Sequence, residues 1–142
     1  KISKVADFID TTIDSNKYLL SEELLIKRFQ VLDIQTAEST NTMCFTKAYS
    51  RFIEGTGSVF CDMPNIELQA KLKEIDELGE NSLELKKSLK LRFMSPTEIA
   101  RLMSFPENFK FPQSLSDKQK FKLLGNSVNV LVISALINPL CS

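Results

Sequence analysis

The chain has 142 residues, with 18 lysines and arginines against 18 aspartates and glutamates, and no histidine. The missing histidine excludes an imidazole general base, a Cys–His dyad and a histidine-containing metal site within this sequence. Its length and its 43% hydrophobic content suit a globular domain with a real core, and the zero net charge hides a basic end, where Arg92, Arg101, Lys110, Lys118, Lys120 and Lys122 face only Glu98, Glu107 and Asp117.

In chain order, Lys1-Ile2-Ser3-Lys4 has no apolar signal core behind it. Residues 22–28 are predicted to form a short helix, with Ser21 as cap, Glu22 and Glu23 at its start and Lys27 and Arg28 at its end, as the helix dipole favours. Phe29–Ile34 then reads as a strand or extended segment. Thr42–Phe60 alternates apolar and polar residues and runs through Gly55-Thr56-Gly57-Ser58, so two extended segments with tight loops are expected. Asn65–Lys90 is charged and helix-prone, with Leu68, Leu72, Ile75 and Leu78 on one face until Gly79 breaks the pattern. This stretch is linker-like, and a structural role is expected for it.

Three helices are predicted after it. Ser95-Pro96-Thr97-Glu98 is a capping box with proline at the first helical position, and its helix carries Ile99, Leu102 and Met103 and ends near Phe105-Pro106. Ser116-Asp117-Lys118-Gln119 is a second capping box, opening a helix that Gly125 stops. The third runs from about Ser127 to Ile137, with Val128, Leu131, Val132, Ala135 and Leu136 as its apolar face and Pro139 beyond it. The longest apolar stretch, Val128–Ile137, is interrupted by Asn129 and Ser134 and falls short of the roughly 18 residues of a membrane span. A soluble intracellular protein without a membrane partner is the expectation. Cys44, Cys61 and Cys141, odd in number and widely spaced, argue against a disulfide framework and against a zinc site.

Leu91–Pro106 resembles the ninth conserved block of the cytosine-5 methyltransferases, in which an arginine precedes a Thr/Ser-Pro-x-Glu helix start and the helix closes on Gly-Phe-Pro; here Ser104 stands where glycine is usual. Leu123-Leu124-Gly125-Asn126-Ser127-Val128 resembles the tenth block, whose core is Gly-Asn-Ser-Val. Cys44-Phe45-Thr46-Lys47-Ala48-Tyr49-Ser50-Arg51-Phe52-Ile53-Glu54-Gly55-Thr56-Gly57-Ser58 resembles the Cys-Phe-Thr target-recognition signature of the branch that methylates aspartate tRNA in its anticodon loop. The likeness is weakest over Lys1–Asn16 and Asp62–Lys90. The family's Phe-x-Gly-x-Gly, Pro-Pro-Cys-Gln, Glu-Asn-Val and Gln-x-Arg segments are not in this sequence. It is therefore expected to be the C-terminal part of a longer protein, or one piece of a split one, with no catalytic residue of its own and an N-terminal catalytic half as partner.

The resemblance implies an α/β parent with a Rossmann-like, S-adenosylmethionine-dependent methyltransferase domain. Residues 1–90 of this chain would be a small α+β target-recognition domain, and residues 91–142 a helical segment returning to the catalytic domain. In the family, a thiolate adds to carbon 6 of a flipped cytosine and carbon 5 takes the methyl group. Asn126 and Ser127 would then contact S-adenosylmethionine, on the reasoning that a glycine turn feeding a helix start exposes backbone N–H groups and two small polar side chains. A simple capped helix junction is the other reading of that turn.

Cys44, Phe45, Thr46, Lys47, Tyr49, Arg51, Gly55, Thr56 and Gly57 are the candidate substrate contacts in the recognition segment. Lys27, Arg28, Lys47, Arg51, Lys118, Lys120 and Lys122 are the candidate phosphate contacts. Of Phe45, Tyr49 and Phe52, at most one is expected to stack on a base, and Gly55–Gly57 would allow a nucleic-acid backbone to approach closely. Cys44 lies outside a Pro-Pro-Cys context and is expected to be structural or substrate-side. The expected substrate is tRNA and the expected compartment the cytoplasm, with the nucleus as a second. DNA as substrate, a non-catalytic RNA-binding module, and an orphan fragment associating through its last helix are the alternatives.

Overall fold

The computed structural model describes residues 2–141. Strand β1 (Ile34–Thr36) lies parallel to β2 (Val59–Cys61), and β2 is antiparallel to β3 (Arg92–Phe93), so the sheet order is β1-β2-β3. Parallel strands cannot be joined by a tight hairpin and need a long crossover, usually a helix. Here the crossover is the segment 37–58, which holds no regular helix or strand. Loops of that length without secondary structure are uncommon in compact domains and usually carry function.

Every residue of β2 is buried, because both faces of the sheet are covered. Strand alternation sends Phe60 to one core and Val59 and Cys61 to the other. The first core gathers Val5, Tyr49, Phe60, Met94, Ile99, Phe121 and Leu124. The second gathers Leu20, Leu25, Val59, Cys61, Leu68, Ile75, Leu89 and Leu91. The first core draws from both sides of residue 90.

The capped helices form as their sequences dictate. In α1 (Glu22–Arg28), Ser21 Oγ accepts from the Leu24 N–H. α2 (Asn65–Leu78) buries Leu68 and Ile75, and Gly79, at φ +57°, ends it; α3 (Leu83–Ser88) follows. α4 (Pro96–Leu102) and α5 (Asp117–Gly125) both start with complete capping boxes, from Ser95 and Ser116. α6 (Val130–Ile137) is capped by Asn129, whose Oδ1 accepts from the Val132 N–H.

A buried ion pair ties β3 to α4. Arg92 grips Glu98 with two hydrogen bonds of 2.9 Å, and the Glu98 carboxylate also accepts the N–H groups of Ser95 at 2.8 Å and Asp10 at 3.0 Å. The Arg92 guanidinium lies 4.8 Å from the Phe60 ring centroid. Charges this deeply buried persist only when each is fully paired.

Four expectations need correction. Phe29–Val31 is a 3-10 turn, and the extended stretch after it is confined to Ile34–Thr36. Thr42–Ser58 is loop, and only Val59–Cys61 of that region is strand. α4 ends at Leu102, short of Phe105, because Ser104 takes φ +62°. The third helix starts at Val130, and its apolar face lies open to solvent. By length and composition the stretch Asp117–Leu140 also passes as apolar enough to cross a membrane. It is two helices with a turn between them, and Phe121 and Leu124 of α5 are in the first core.

Candidate functional site

The crossover loop is pinned from inside by Tyr49. Its ring is 2% exposed and makes edge-on contacts with Phe45, Phe93 and Phe121 at 5.1, 5.3 and 5.2 Å. Its hydroxyl donates to the Ser58 carbonyl at 2.6 Å and accepts from the Met94 N–H at 2.9 Å. Burial pushes this phenol well above the ordinary tyrosine range. Tyr49, expected among the substrate contacts, is therefore a core residue that joins the loop to the start of α4. Phe45 packs against the same core and is half-buried.

The glycine-rich run splits the same way. A Cβ on Gly57, at φ +148°, would lie 2.6 Å from the Phe45 ring and 2.8 Å from Tyr49. That glycine makes room for the protein's own rings, not for a nucleic-acid backbone. Thr56 is buried: its hydroxyl donates to the Phe52 carbonyl at 2.7 Å, and its carbonyl accepts from the Thr46 N–H at 2.9 Å. Only Gly55, at φ +69°, faces open space. Cys44, Lys47 and Arg51 remain exposed beside it, with Thr46 half-buried.

Gly125 brings the Cys-Phe-Thr segment and the Gly-Asn-Ser segment together. A Cβ there would stand 2.0 Å from the Lys47 backbone nitrogen and 2.2 Å from the Thr46 carbonyl carbon. Only a residue without a side chain lets the last turn of α5 rest on the Thr46–Lys47 peptide. Asn126 and Ser127 follow directly, and both are exposed.

The chemistry of this turn differs from the expectation. It ends α5 instead of feeding a helix start: the Asn126 N–H donates to the Lys122 and Leu123 carbonyls, each at 3.2 Å, and the Ser127 N–H to Leu124 at 3.0 Å. The Ser127 hydroxyl donates to the Leu123 carbonyl at 2.9 Å. Backbone donors are thus used within the helix end. The Asn126 carboxamide and the lone pairs of Ser127 Oγ are what the turn offers to a ligand.

The lysines of α5 divide by helix face. Lys118 and Lys122 are exposed and one turn apart, and Asn126 continues the same stripe. Lys120 points elsewhere, 3.7 Å from Asp117 and 5.6 Å from the Phe111 centroid. Lys27 and Arg28 ride on α1, which packs against α3; both are exposed, and Lys27 is paired with Glu23 at 2.8 Å. Cys61 is buried, which pushes its thiol up to about 11, and its Sγ donates to the Leu89 carbonyl. Cys44, Cys61 and Cys141 are all unpaired thiols.

Two residues that hold the loop escaped the sequence reading. Ser58 Oγ accepts from the Met43 N–H at 2.8 Å and donates to the Asp33 carboxylate in a short hydrogen bond. Asp33 and Ser58 are 25 residues apart, and no local pattern pairs them.

The model of the family described as C-5 cytosine-specific DNA methylase matches residues 1–142. A tRNA (cytosine(38)-C(5))-methyltransferase of Bos taurus is 39% identical over 141 residues, which are 99% of this chain and 36% of that protein. The Spodoptera frugiperda protein of the same name is 42% identical over 135 residues, covering 93% of this chain and 40% of its own length. A crystal structure of a Spodoptera frugiperda DNMT2 mutant superposes with a TM-score of 0.90 at 39% identity, covering 98% of this chain and 42% of that one. The chain thus spans well under half the length of these relatives, and the match runs through the mixed α/β fold, the Cys-Phe-Thr loop and the Gly-Asn-Ser turn alike. With the family model spanning every residue, this chain belongs to the C-5 cytosine-specific DNA methylase family.

Proposed function

We propose that this chain is the recognition and C-terminal portion of an enzyme that transfers a methyl group from S-adenosylmethionine to carbon 5 of a cytosine in tRNA, the anticodon loop of aspartate tRNA being its target. One observation carries the reading: Gly125 seats the Gly-Asn-Ser turn on the Thr46–Lys47 peptide, so the segment expected at the cofactor and the segment expected at the substrate share one surface. Enzymes that join a donor to an acceptor need that proximity.

Residues 1–90 recognise the RNA, and residues 91–142 return to the catalytic half. Cys44, Lys47, Arg51 and Gly55 form the exposed rim of the loop, with Thr46 half-buried among them. Lys118 and Lys122 extend it as phosphate contacts along α5. The donor set of the turn suits one edge of S-adenosylmethionine, since the Asn126 carboxamide both donates and accepts and Ser127 Oγ accepts. When bound, that molecule supplies the methyl group; Asn126 and Ser127 hold it from one side. The nucleophilic cysteine belongs to the upstream half, which we place against the open face of α6. A tRNA substrate puts the protein in the cytoplasm, with the nucleus as its second compartment.

The test is methyl transfer from labelled S-adenosylmethionine to aspartate tRNA and to duplex DNA. The chain is assayed alone and mixed with the upstream half of a family relative. Activity only in the mixture, and only on tRNA, is the expected result. Transfer by the chain alone would overturn the division of labour, and transfer to duplex DNA would overturn the substrate. An inactive mixture that still binds RNA would identify a non-catalytic binding module.

A further inference from the structure

The crossover loop holds three aromatic rings, and two of them are used up in packing. Phe45 and Tyr49 sit edge-on to one another and to the first core. The third, Phe52, is 61% exposed. A lone exposed ring is ordinary on a protein surface, so exposure by itself decides nothing.

Three further observations set Phe52 apart. The Arg51 guanidinium carbon lies 5.5 Å from its ring centroid, so a cation flanks the ring. The backbone beneath it is fixed: the Phe52 N–H donates to the Ala48 carbonyl at 3.0 Å, and the Phe52 carbonyl accepts from Thr56 Oγ1 at 2.7 Å. Just before it, Ser50 adopts φ +69°, a left-handed conformation that a non-glycine residue holds only when its surroundings impose it. The loop is thus strained and tied down, yet it presents an apolar ring to water. Nearby on the same loop, Lys47 and Arg51 are exposed, with Glu54 the acid at the far edge.

We propose that Phe52 is the stacking platform for one unpaired base of the RNA substrate, with Arg51 flanking the stack and reaching its phosphate. Single-stranded nucleic acid is held by this combination: a ring that accepts the π-face of a base, beside cations that track the backbone. The guanidinium adds its own cation–π attraction to the same surface. A rigid platform loses little freedom on binding, which is the physical return for a strained loop. This inference rests on the reading of the chain as an RNA-recognition element.

The experiment uses a single-stranded RNA carrying 2-aminopurine, whose emission is quenched by stacking. The wild-type chain and Phe52→Tyr are expected to quench the probe on binding. Phe52→Leu, which keeps apolar bulk and loses the π-system, is expected to bind about tenfold more weakly and without the quench. In the mixture with the upstream half, the same variant is expected to raise KM for tRNA about tenfold with kcat within about twofold. Quenching by Phe52→Leu equal to wild type overturns the platform. So does a Phe52→Tyr variant as impaired as Phe52→Leu, or a wild type that leaves the probe unquenched. Because the quench requires no methyl transfer, an inactive wild-type mixture would sink the proposed activity while the probe still decides the platform.

Discussion

A single missing side chain decides whether the site exists. Gly125 could be read in the sequence as a helix stop, and it is one; its packing against Thr46–Lys47 depends on a contact nearly eighty residues away along the chain, which no local pattern reports. Alanine there meets backbone atoms, which cannot swing aside as a long side chain would. Gly125→Ala is therefore expected to cost about 1–3 kcal/mol, the range for overpacking, and to push the Cys-Phe-Thr loop off its seat. Gly79→Ala is the control: its Cβ would enter open space away from the loop, and only the positive φ resists it, at roughly 1–2 kcal/mol. Thermal melting with RNA titration separates the two. Gly125→Ala should lose RNA affinity as well as stability, and Gly79→Ala stability alone. Equal RNA affinity in both variants would mean that the wedge does not position the loop. Tyr49 shows the opposite failure of sequence reading. An aromatic residue in an alternating segment looks the same whether it faces solvent or core, and its hydrogen-bond partner Met94 is 45 residues away.

Elements were legible where their determinants are local. Ser21, Ser95 and Ser116 each cap the helix that the sequence predicted, because a cap and the N–H that donates to it are three residues apart. The strands were not legible, since each has two or three residues and exists only through pairing with residues 25 or more positions away. Ser104 lies between the cases: the resemblance marked it as standing where glycine is usual, and its φ of +62° gives the reason that glycine suits that turn. α5 is held at its other end by a clamp that was also invisible. Asp117 accepts from Lys17 at 2.7 Å and from the Tyr18 hydroxyl at 2.9 Å, tying the N-terminal segment to the helix start. Desolvation pushes the Asp117 carboxyl up, but the bonds from Lys17 and Tyr18 outweigh it and hold the group below its ordinary value of 3.8. The unfolded carboxyl is then the weaker acid and takes its proton first as pH falls. The clamp's contribution is complete above pH 3.8 and fades as pH drops through the folded value. Asp10, lowered mainly by the hydrogen bond from the Thr12 side chain, titrates in the same direction. Asp117→Asn should cost about 1 kcal/mol near neutral pH and less at pH 2, flattening part of the acid limb of urea-unfolding curves. A variant that loses the same stability at both pH values would show that the charge is not what holds the clamp.

At the scale of the molecule, the two cores close around the sheet and α6 stays outside both. Its start is anchored: the Val130 N–H donates to the Met103 carbonyl at 2.9 Å, and Asn129 Nδ2 donates to the Leu102 carbonyl at 3.3 Å. Beyond that anchor the helix exposes Leu131 at 67% and Leu136 at 63%, with Val132 and Ile137 between and beside them. Eight residues of helix reach only about 12 Å, well under the roughly 30 Å of a bilayer core, so the helix does not span a membrane by itself. A contiguous apolar face of this kind marks an interaction surface. The apolar periodicity was plain in the sequence, but periodicity says that a face is buried somewhere and cannot say in which body. If the upstream half covers it, the chain alone must satisfy the same surface with copies of itself. Sedimentation should then show the isolated chain associating as its concentration rises, and Leu131→Ser with Leu136→Ser should return it to a monomer with its melting temperature little changed, because neither side chain touches either core. Adding the upstream half should dissolve the wild-type associations and fail to bind the double variant. A wild-type chain that stays monomeric, or a double variant that binds the upstream half as tightly as wild type, would remove α6 from the interface.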